Sequence, residues 1–577
     1  MLMVFFSWIV IGGAAMLFGR AVTDAVYRKR RERMGCPDVY VVTGLIFLNV
    51  YAQFFSLFYK VAGIACTILG AAGILLVCVW IYRCPKRKEC KRIFPGCTWK
   101  RPAVWRLAAV LFCFAFTLIW TTREPDQYDT GLYHAQAIRW IEEYGVVPGL
   151  GNLHMRLAYN SAFMSLQALF SLQWLLGQSL HSLNGFFCLA ALIYACATIR
   201  LWGDESLRTS DFLKCAMVIF VVQKRYDIAS SGTDIWAMIL VLYILIKWCE
   251  YWERGWEDGV MYGWLCLVGV YAVTVKLSAA AVVVLALYPL YLFIKKKNGR
   301  AVFAHVCAGG CILLPYLIRN VIISGYLIYP CGALDLFNPD WKMDKAVLAE
   351  DSLDIKMFAR GIRSASEYDN SLVAWIPRWF IKQGMMNRVL IVAGLFCIPV
   401  ILYLLIRYYR SREYTGAALL TAGLTNIVFW LTTAPHMRYG GPYIYTLIAM
   451  TLGALINLTG RTTGSADMEE ASVRAVTGRT VREKACRAVT VAVVMVFMLQ
   501  YGERAVDLSG MELKDLVRQP DYLAWPATQY PVDNEHIWMP DEGDLIGYFA
   551  FPATSQGRQY NVLRLRGESF QEGFLHE

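Results

Sequence analysis

Apolar runs of about twenty residues, the length that crosses a bilayer, recur along this chain from residue 2 to residue 502, and charged residues collect between them. The pattern predicts spans at 2–19, 38–59, 61–82, 105–122, 183–202, 212–224, 235–251, 259–275, 277–294, 301–321, 390–408, 416–432, 441–458 and 488–502. That is about fourteen crossings with both termini outside. The first run lacks a small-residue cleavage motif before a mature domain, so it reads as a retained span. Segment 161–179 is apolar but carries Gln167, Gln173 and Gln178, and it is placed at the outer interface rather than across the membrane. That choice leaves the basic blocks Lys247–Arg254, Lys295–Arg300, Arg407–Arg412 and Arg461–Arg487 on the cytoplasmic side. The short run 212–224 fits least well, because Lys224 and Arg225 fall at its outer end. A half-helix beside a polar cavity would accommodate it.

Composition agrees with the pattern. Hydrophobic residues make up 57% of the 577 positions and charged residues 17%, whereas soluble domains carry roughly a quarter charged residues. The net charge of +12 sits in short blocks beside apolar runs, as the positive-inside rule produces. No basic patch with stacking aromatics stands apart, so nucleic acid is excluded as a partner. Most of the 17 cysteines lie inside apolar runs and act as small apolar side chains. Cys84, Cys90 and Cys97 share one basic loop but lack a fourth ligand nearby, so they read as reduced thiols and no metal site is assigned.

Three outward segments are long enough for chemistry: 123–182, 322–389 and 503–577. The last has no spanning run and is rich in Pro and Trp, which predicts a small ordered cap or tail. The chain therefore divides into a three-span N-terminal extension (1–104), a main transmembrane domain (105–502) and a C-terminal extracytoplasmic segment (503–577). The fold class is an all-α polytopic membrane protein whose first solvent partner is the lipid bilayer.

The segment 123–160 concentrates polar residues. After Pro125 a helix can begin, with Asp126 or Asp129 in its first turn. Asp129, Tyr133, Gln136 and Trp140 then share one face. Alone, Asp129 is equally well a cap; close after a span and beside Tyr133 and His134, it suits proton abstraction from a hydroxyl. Pro148, Gly149 and Gly151 predict a turn, followed by His154, Arg156 and Asn160, a set suited to an anion or a sugar. Asp234 precedes a span and reads first as its cap. Lys276 lies between two apolar runs without an adjacent carboxylate, and Arg319–Asn320 end another. Ala-Pro-His-Met-Arg-Tyr offers His436 and Arg438 at the outer surface. Outward cations run against the charge rule and call for an anionic partner, a lipid phosphate or diphosphate, which arginine binds bidentately.

The order of these features resembles the GT-C class of membrane glycosyltransferases: a span, an outward loop with an early Asp, many spans, then a late outward Arg motif. More closely, Tyr-Asp-Thr-Gly-Leu-Tyr-His, Gly-Leu-Gly-Asn-Leu-His-Met-Arg, Arg-Asn-x4-Gly-Tyr-Leu-Ile-Tyr-Pro and Ala-Pro-His-Met-Arg-Tyr are similar to a family of poorly characterised bacterial multipass proteins. So is the ending Leu-Arg-Leu-Arg-Gly-Glu-Ser-Phe-Gln-Glu-Gly-Phe. The likeness covers about residues 105–577. It implies a GT-C-like helix bundle in the inner membrane of a bacterium, working outside the cytoplasm in cell-envelope polysaccharide assembly. A polyprenyl-phosphate-linked sugar would be the donor co-substrate, with no other cofactor, and a glycan or lipid the acceptor. Asp129 matches the catalytic position of the class, although Thr130 stands where many members carry a second acid. Lys276, Arg319 and Arg438 would dock the phosphate, with Tyr133, His134, His154, Arg156, Asn160, Asp234, Asn320 and His436 around the substrate. A transporter or flippase of lipid-linked or anionic glycans is the alternative.

Overall fold

The computed structural model describes residues 1–83, 104–200, 207–369, 371–462, 513–555, 560 and 562–576. The cysteine-bearing part of the basic loop, the span expected at 488–502 and the expected boundary at 104 lie at or beyond these limits. Among the described residues, eight helices are long and apolar enough to cross a membrane by length and composition. They are Leu2–Val26, Pro37–Ser56, Gly63–Tyr82, Asp234–Glu253, Leu277–Lys295, Gly299–Ser324, Met385–Arg410 and Tyr414–Thr433. Leu107–Thr121, Leu183–Thr198 and Gly259–Val275 are apolar but shorter. Thr209–Gln223 and Met437–Thr462 are also helical. The described residues are mostly helical, of a multi-pass type, with small strand additions. Eight of the expected spans are helices long and apolar enough to cross, the others within the described residues are shorter or less apolar helices, and 488–502 lies outside them.

The first two helices are packed into the bundle, while Gly63–Tyr82 is mostly exposed. Pro37 occupies the first position of helix Pro37–Ser56, where its missing N–H costs nothing. This helix runs so close to Leu2–Val26 that a Cβ on Gly19 would lie 1.8 Å from the Tyr40 carbonyl oxygen, and one on Gly44 1.9 Å from that of Ala15. Only glycine permits that approach, the small-residue packing of membrane helices. Trp8 Nε1 donates to the Ser182 carbonyl at 2.9 Å, and Asn49 Nδ2 to the Tyr271 hydroxyl at 2.7 Å.

Helix Asp234–Glu253 runs through the centre, buried along almost its whole length. Its far end carries internally paired charges: Lys247 with Asp38 at 2.5 Å and Lys214 with Glu250 at 2.8 Å. Each charge is matched by a neighbour, as buried ions require. Its near end carries Asp234, about 20 Å away along the axis.

Segment 161–179 contains no helix long enough by itself to cross a membrane. It forms helix Ala162–Phe170, nine residues long and therefore about 13 Å, then a short turn of helix at Gln173–Leu176. Every residue of Ala162–Phe170 is buried, whereas Trp174 and Leu175 of the following turn are exposed. Gln167 Nε2 satisfies the Leu180 carbonyl at 2.5 Å.

The three long polar segments converge on one face. Residues 513–576 add two antiparallel strand pairs, Ala527–Val532 with Glu535–Pro540 and Leu563–Leu565 with Phe574–His576. The first turns through Asp533–Asn534, with Asp533 at a φ of 53°, the left-handed geometry a tight hairpin needs. The loop between the two pairs covers helix Ala135–Glu143: Gln136 Nε2 donates to the carbonyls of Gly547 and Ala550, and the Tyr548 hydroxyl to Glu142 at 2.6 Å. Trp140 packs against Phe551, Phe570 and Phe574.

Candidate functional site

Asp129 begins the helix after Pro125, and its first turn, Thr130–His134, is wound as a π-helix. In this wider turn the Ala135 N–H reaches the Thr130 carbonyl, five residues back. The winding breaks the spacing expected of a regular helix. Asp129 and Tyr133 stay on the site, while Gln136 and Trp140 turn to the C-terminal cover. His134, five residues on, is brought in beside Asp129.

Four distant segments meet there. Arg438, in the first turn of helix Met437–Thr462, donates through Nη2 to Asp129 Oδ2 and through Nε to Asp234 Oδ2. Lys276 Nζ donates to the other oxygen of Asp234. Asp234 is the first residue of its helix, one past the N-cap Thr233, and the cap reading gives way to a bridge between two cations. Lys276 itself has extended backbone (φ −156°, ψ 128°) between helix Gly259–Val275 and a 3-10 run, Leu277–Ala286. Ten residues is long for that winding. The break turns the ammonium out of the apolar stretch onto Asp234 and the Tyr439 ring, 4.6 Å from its centroid.

Asp129 and Arg438 keep about a fifth of their side-chain surface exposed, while Asp234 is nearly enclosed. Burial pushes the Asp129 carboxyl up, but Arg438, His134 and Lys276 outweigh it and hold it below the usual carboxylate range. His134 is 1% exposed, and among the described residues neither of its ring nitrogens has a hydrogen-bond partner. Burial lowers its pKa to about 4 against the pull of Asp129. It is therefore neutral near pH 7, with one nitrogen able to donate and the other to accept. His436 is held at about 4 by burial and by Arg438. Its Nδ1 accepts from the Arg438 N–H at 3.1 Å.

A second polar group adjoins the first through Tyr133, whose ring lies 6.0 Å from that of Tyr159. Arg156 Nη1 is 2.9 Å from Asp351 Oδ1, an ion pair without hydrogen-bond alignment. The Tyr159 hydroxyl accepts from Arg156 at 2.7 Å and donates to Asp351 at 2.6 Å. Asp351 belongs to helix Lys345–Arg360, and Phe358 on the same helix stacks on His436 at 4.9 Å. This helix thus covers the site.

Three expected residues are placed elsewhere, and one is given a structural task. Arg319, 3% exposed, donates to Asn160 at 2.9 Å and to Ser56. Asn160 bonds Asn320 at 2.9 Å, and Asn320 the Leu327 carbonyl. These residues close a knot inside the protein because Arg319 and Asn320 fall on the buried side of their helix. They do not reach Asp129. His154 is also spent internally, with Nδ1 accepting from the Arg156 N–H and Nε2 bonded to Ser555 Oγ at 2.8 Å. It fastens the C-terminal cover.

Sequence reasoning missed Asp351, Tyr159, Tyr439 and Lys224. Lys224 pairs with Asp227 at 2.8 Å and acts electrostatically on His436. Its position against the charge rule was the available signal.

A protein-family profile described as Domain of unknown function (DUF8201) matches residues 1–445. The chain belongs to this family. The match takes in the N-terminal helices together with Asp129, Asp234, Lys276 and Arg438, whereas the resemblance noted above began near residue 105. No curated protein and no solved structure matches the chain.

Proposed function

We propose that this protein is a membrane glycosyltransferase that moves a sugar from a polyprenyl-phosphate-type lipid to an acceptor at the extracytoplasmic face. The observation that carries the reading is the Asp129–Arg438–Asp234–Lys276 chain, with a neutral His134 beside it whose ring has no hydrogen-bond partner among the described residues. A donor phosphate competes with the two carboxylates for Arg438 and Lys276. As Arg438 turns to phosphate, Asp129 loses its strongest counter-charge, and its proton affinity rises toward that of a working base. The bond from the sugar's anomeric carbon to the phosphate oxygen breaks, and a bond to the acceptor oxygen forms. The acceptor proton goes to Asp129, and the cations hold the departing phosphate. His134 and Tyr133 hydrogen-bond sugar or acceptor hydroxyls. Arg319, enclosed with neutral partners, leaves the docking set expected from sequence, and Lys224 joins it.

One feature favours transport of a lipid-linked or anionic glycan instead. The extended backbone at Lys276 interrupts an apolar stretch, as in spans that line substrate paths. Purified protein in proteoliposomes, given radiolabelled polyprenyl-phosphate sugars and glycan acceptors, separates the two. Transfer forms a new glycosidic bond, whereas transport moves label across the membrane with the donor intact. Label movement without a new bond would reject the transferase.

A further inference from the structure

The segment between Gly299–Ser324 and Met385–Arg410 ends in an eleven-residue helix, Leu372–Lys382, whose two sides differ sharply. Trp375 and Trp379 face the protein, each 3% exposed, and Trp379 meets Trp430 at 5.8 Å. Leu372, Val373, Ile376 and Ile381 are exposed, Val373 at 85%. By helical spacing Val373 and Ile376 lie on the side away from Arg378 and Lys382, with Leu372 and Ile381 at its two edges. A helix this short does not bare so much apolar surface to water without a partner.

Two observations name the partner. Only Gln383 and Gly384 separate this helix from the span Met385–Arg410, whose Met385, Met386 and Val389 are likewise exposed. The apolar surface therefore continues from the short helix onto a span that faces lipid. Exposed Arg363, Arg378 and Arg388 rim it, where phosphate head groups would lie.

We infer that Leu372–Lys382 is an interfacial helix, lying in the bilayer surface on the side of the Asp129 site with its apolar side among acyl chains and its cations at head-group phosphates. It also ties that surface to the cover of the site. Lys382 Nζ donates to the Gly361 carbonyl at 2.6 Å, and the Arg360 guanidinium sits 4.6 Å over the Trp375 ring. Gly361 ends the covering helix, and Phe358 of that helix stacks on His436. A change at the lipid surface thus reaches Arg438 through a short series of packed residues. The inference stands independently of the chemistry proposed above.

Full-length protein in nanodiscs of phosphatidylethanolamine and phosphatidylglycerol tests it. A benzophenone-bearing phenylalanine is placed singly at Val373 and at Ile381. Phe396, exposed on the span, serves as the lipid-facing reference, and Glu350, on the covering helix, as the water-facing one. Irradiation followed by mass spectrometry should give lipid adducts at 373 and 381 at yields near that of 396. These should stand about tenfold above position 350, as a helix sunk to the acyl boundary requires. Adducts at 396 with only background at 373 and 381 would overturn the inference. So would protein adducts replacing lipid ones there, which would make this face a protein interface.

Discussion

Arg438 Nη2 donates to Asp129 Oδ2 across 309 positions of sequence, joining the first polar loop to the start of a helix near the end of the bundle. Both side chains are largely buried, so the bond is worth about 1.5–3 kcal/mol, the range for hydrogen bonds to charged groups. Asp129→Asn and Arg438→Gln should each lower thermal stability. In a double-mutant cycle their losses should fall short of additive by about that amount. Thermal unfolding of the four proteins in one detergent measures it, and full additivity would show that the contact contributes nothing.

The pH dependence has a definite sign. His134 falls from an ordinary 6.5 to about 4 on folding, through burial. The unfolded chain therefore takes up a proton first as pH drops. The stability tied to neutral His134 is complete above pH 6.5 and is lost between there and about pH 4. Asp129 is held below 3.8 and contributes its loss only under more acidic conditions. His134→Gln should reduce the slope of melting temperature against pH between pH 5 and 6.5, His436 carrying a further share, and an unchanged slope would remove His134 as a source.

Asp351 is 0% exposed and depends on Arg156. Its burial already pushes its carboxyl up, against Arg156, Tyr159 and Tyr329. Arg156→Gln should destabilise the protein by roughly 3 kcal/mol, because an uncompensated charge is left inside. Adding Asp351→Asn should restore much of the loss. A double variant as unstable as the single one would show that Arg156 acts through packing.

The His154–Ser555 bond pins the C-terminal cover. His154→Ala should cost about 1 kcal/mol and make residues 513–576 more sensitive to limited proteolysis. Unchanged cleavage kinetics would mean that the Gln136 and Tyr548 contacts hold the cover without it.

Much of this was legible in the sequence, for reasons that also mark the limit. Asp234 and Lys276 each stand at the end of an apolar run and Asp129 and Arg438 close to one, where a charged residue needs a partner. Composition and position therefore identified them singly. Their meeting depends on tertiary packing that periodicity does not contain. Arg319 and Asn320 looked equivalent to Lys276, yet helical phase turns them inward onto Asn160 and Ser56. Asp351 was invisible because an acidic residue in a polar helix reads as solvated until Arg156 is brought against it. The π turn after Asp129 has no sequence signature, and it reassigned Gln136 and Trp140 from the site to the cover.

The central claim is that Asp129 takes the acceptor's proton while Arg438 and Lys276 hold phosphate. Its most direct test is glycan assembly by cells in which Asp129→Asn replaces the native residue, with membrane protein level quantified alongside. A base of this kind contributes about 10²–10⁴-fold, so assembly should fall to about 1% or less at an unchanged protein level. Normal glycan at a normal protein level would contradict the assignment of Asp129 and, with it, the proposed chemistry.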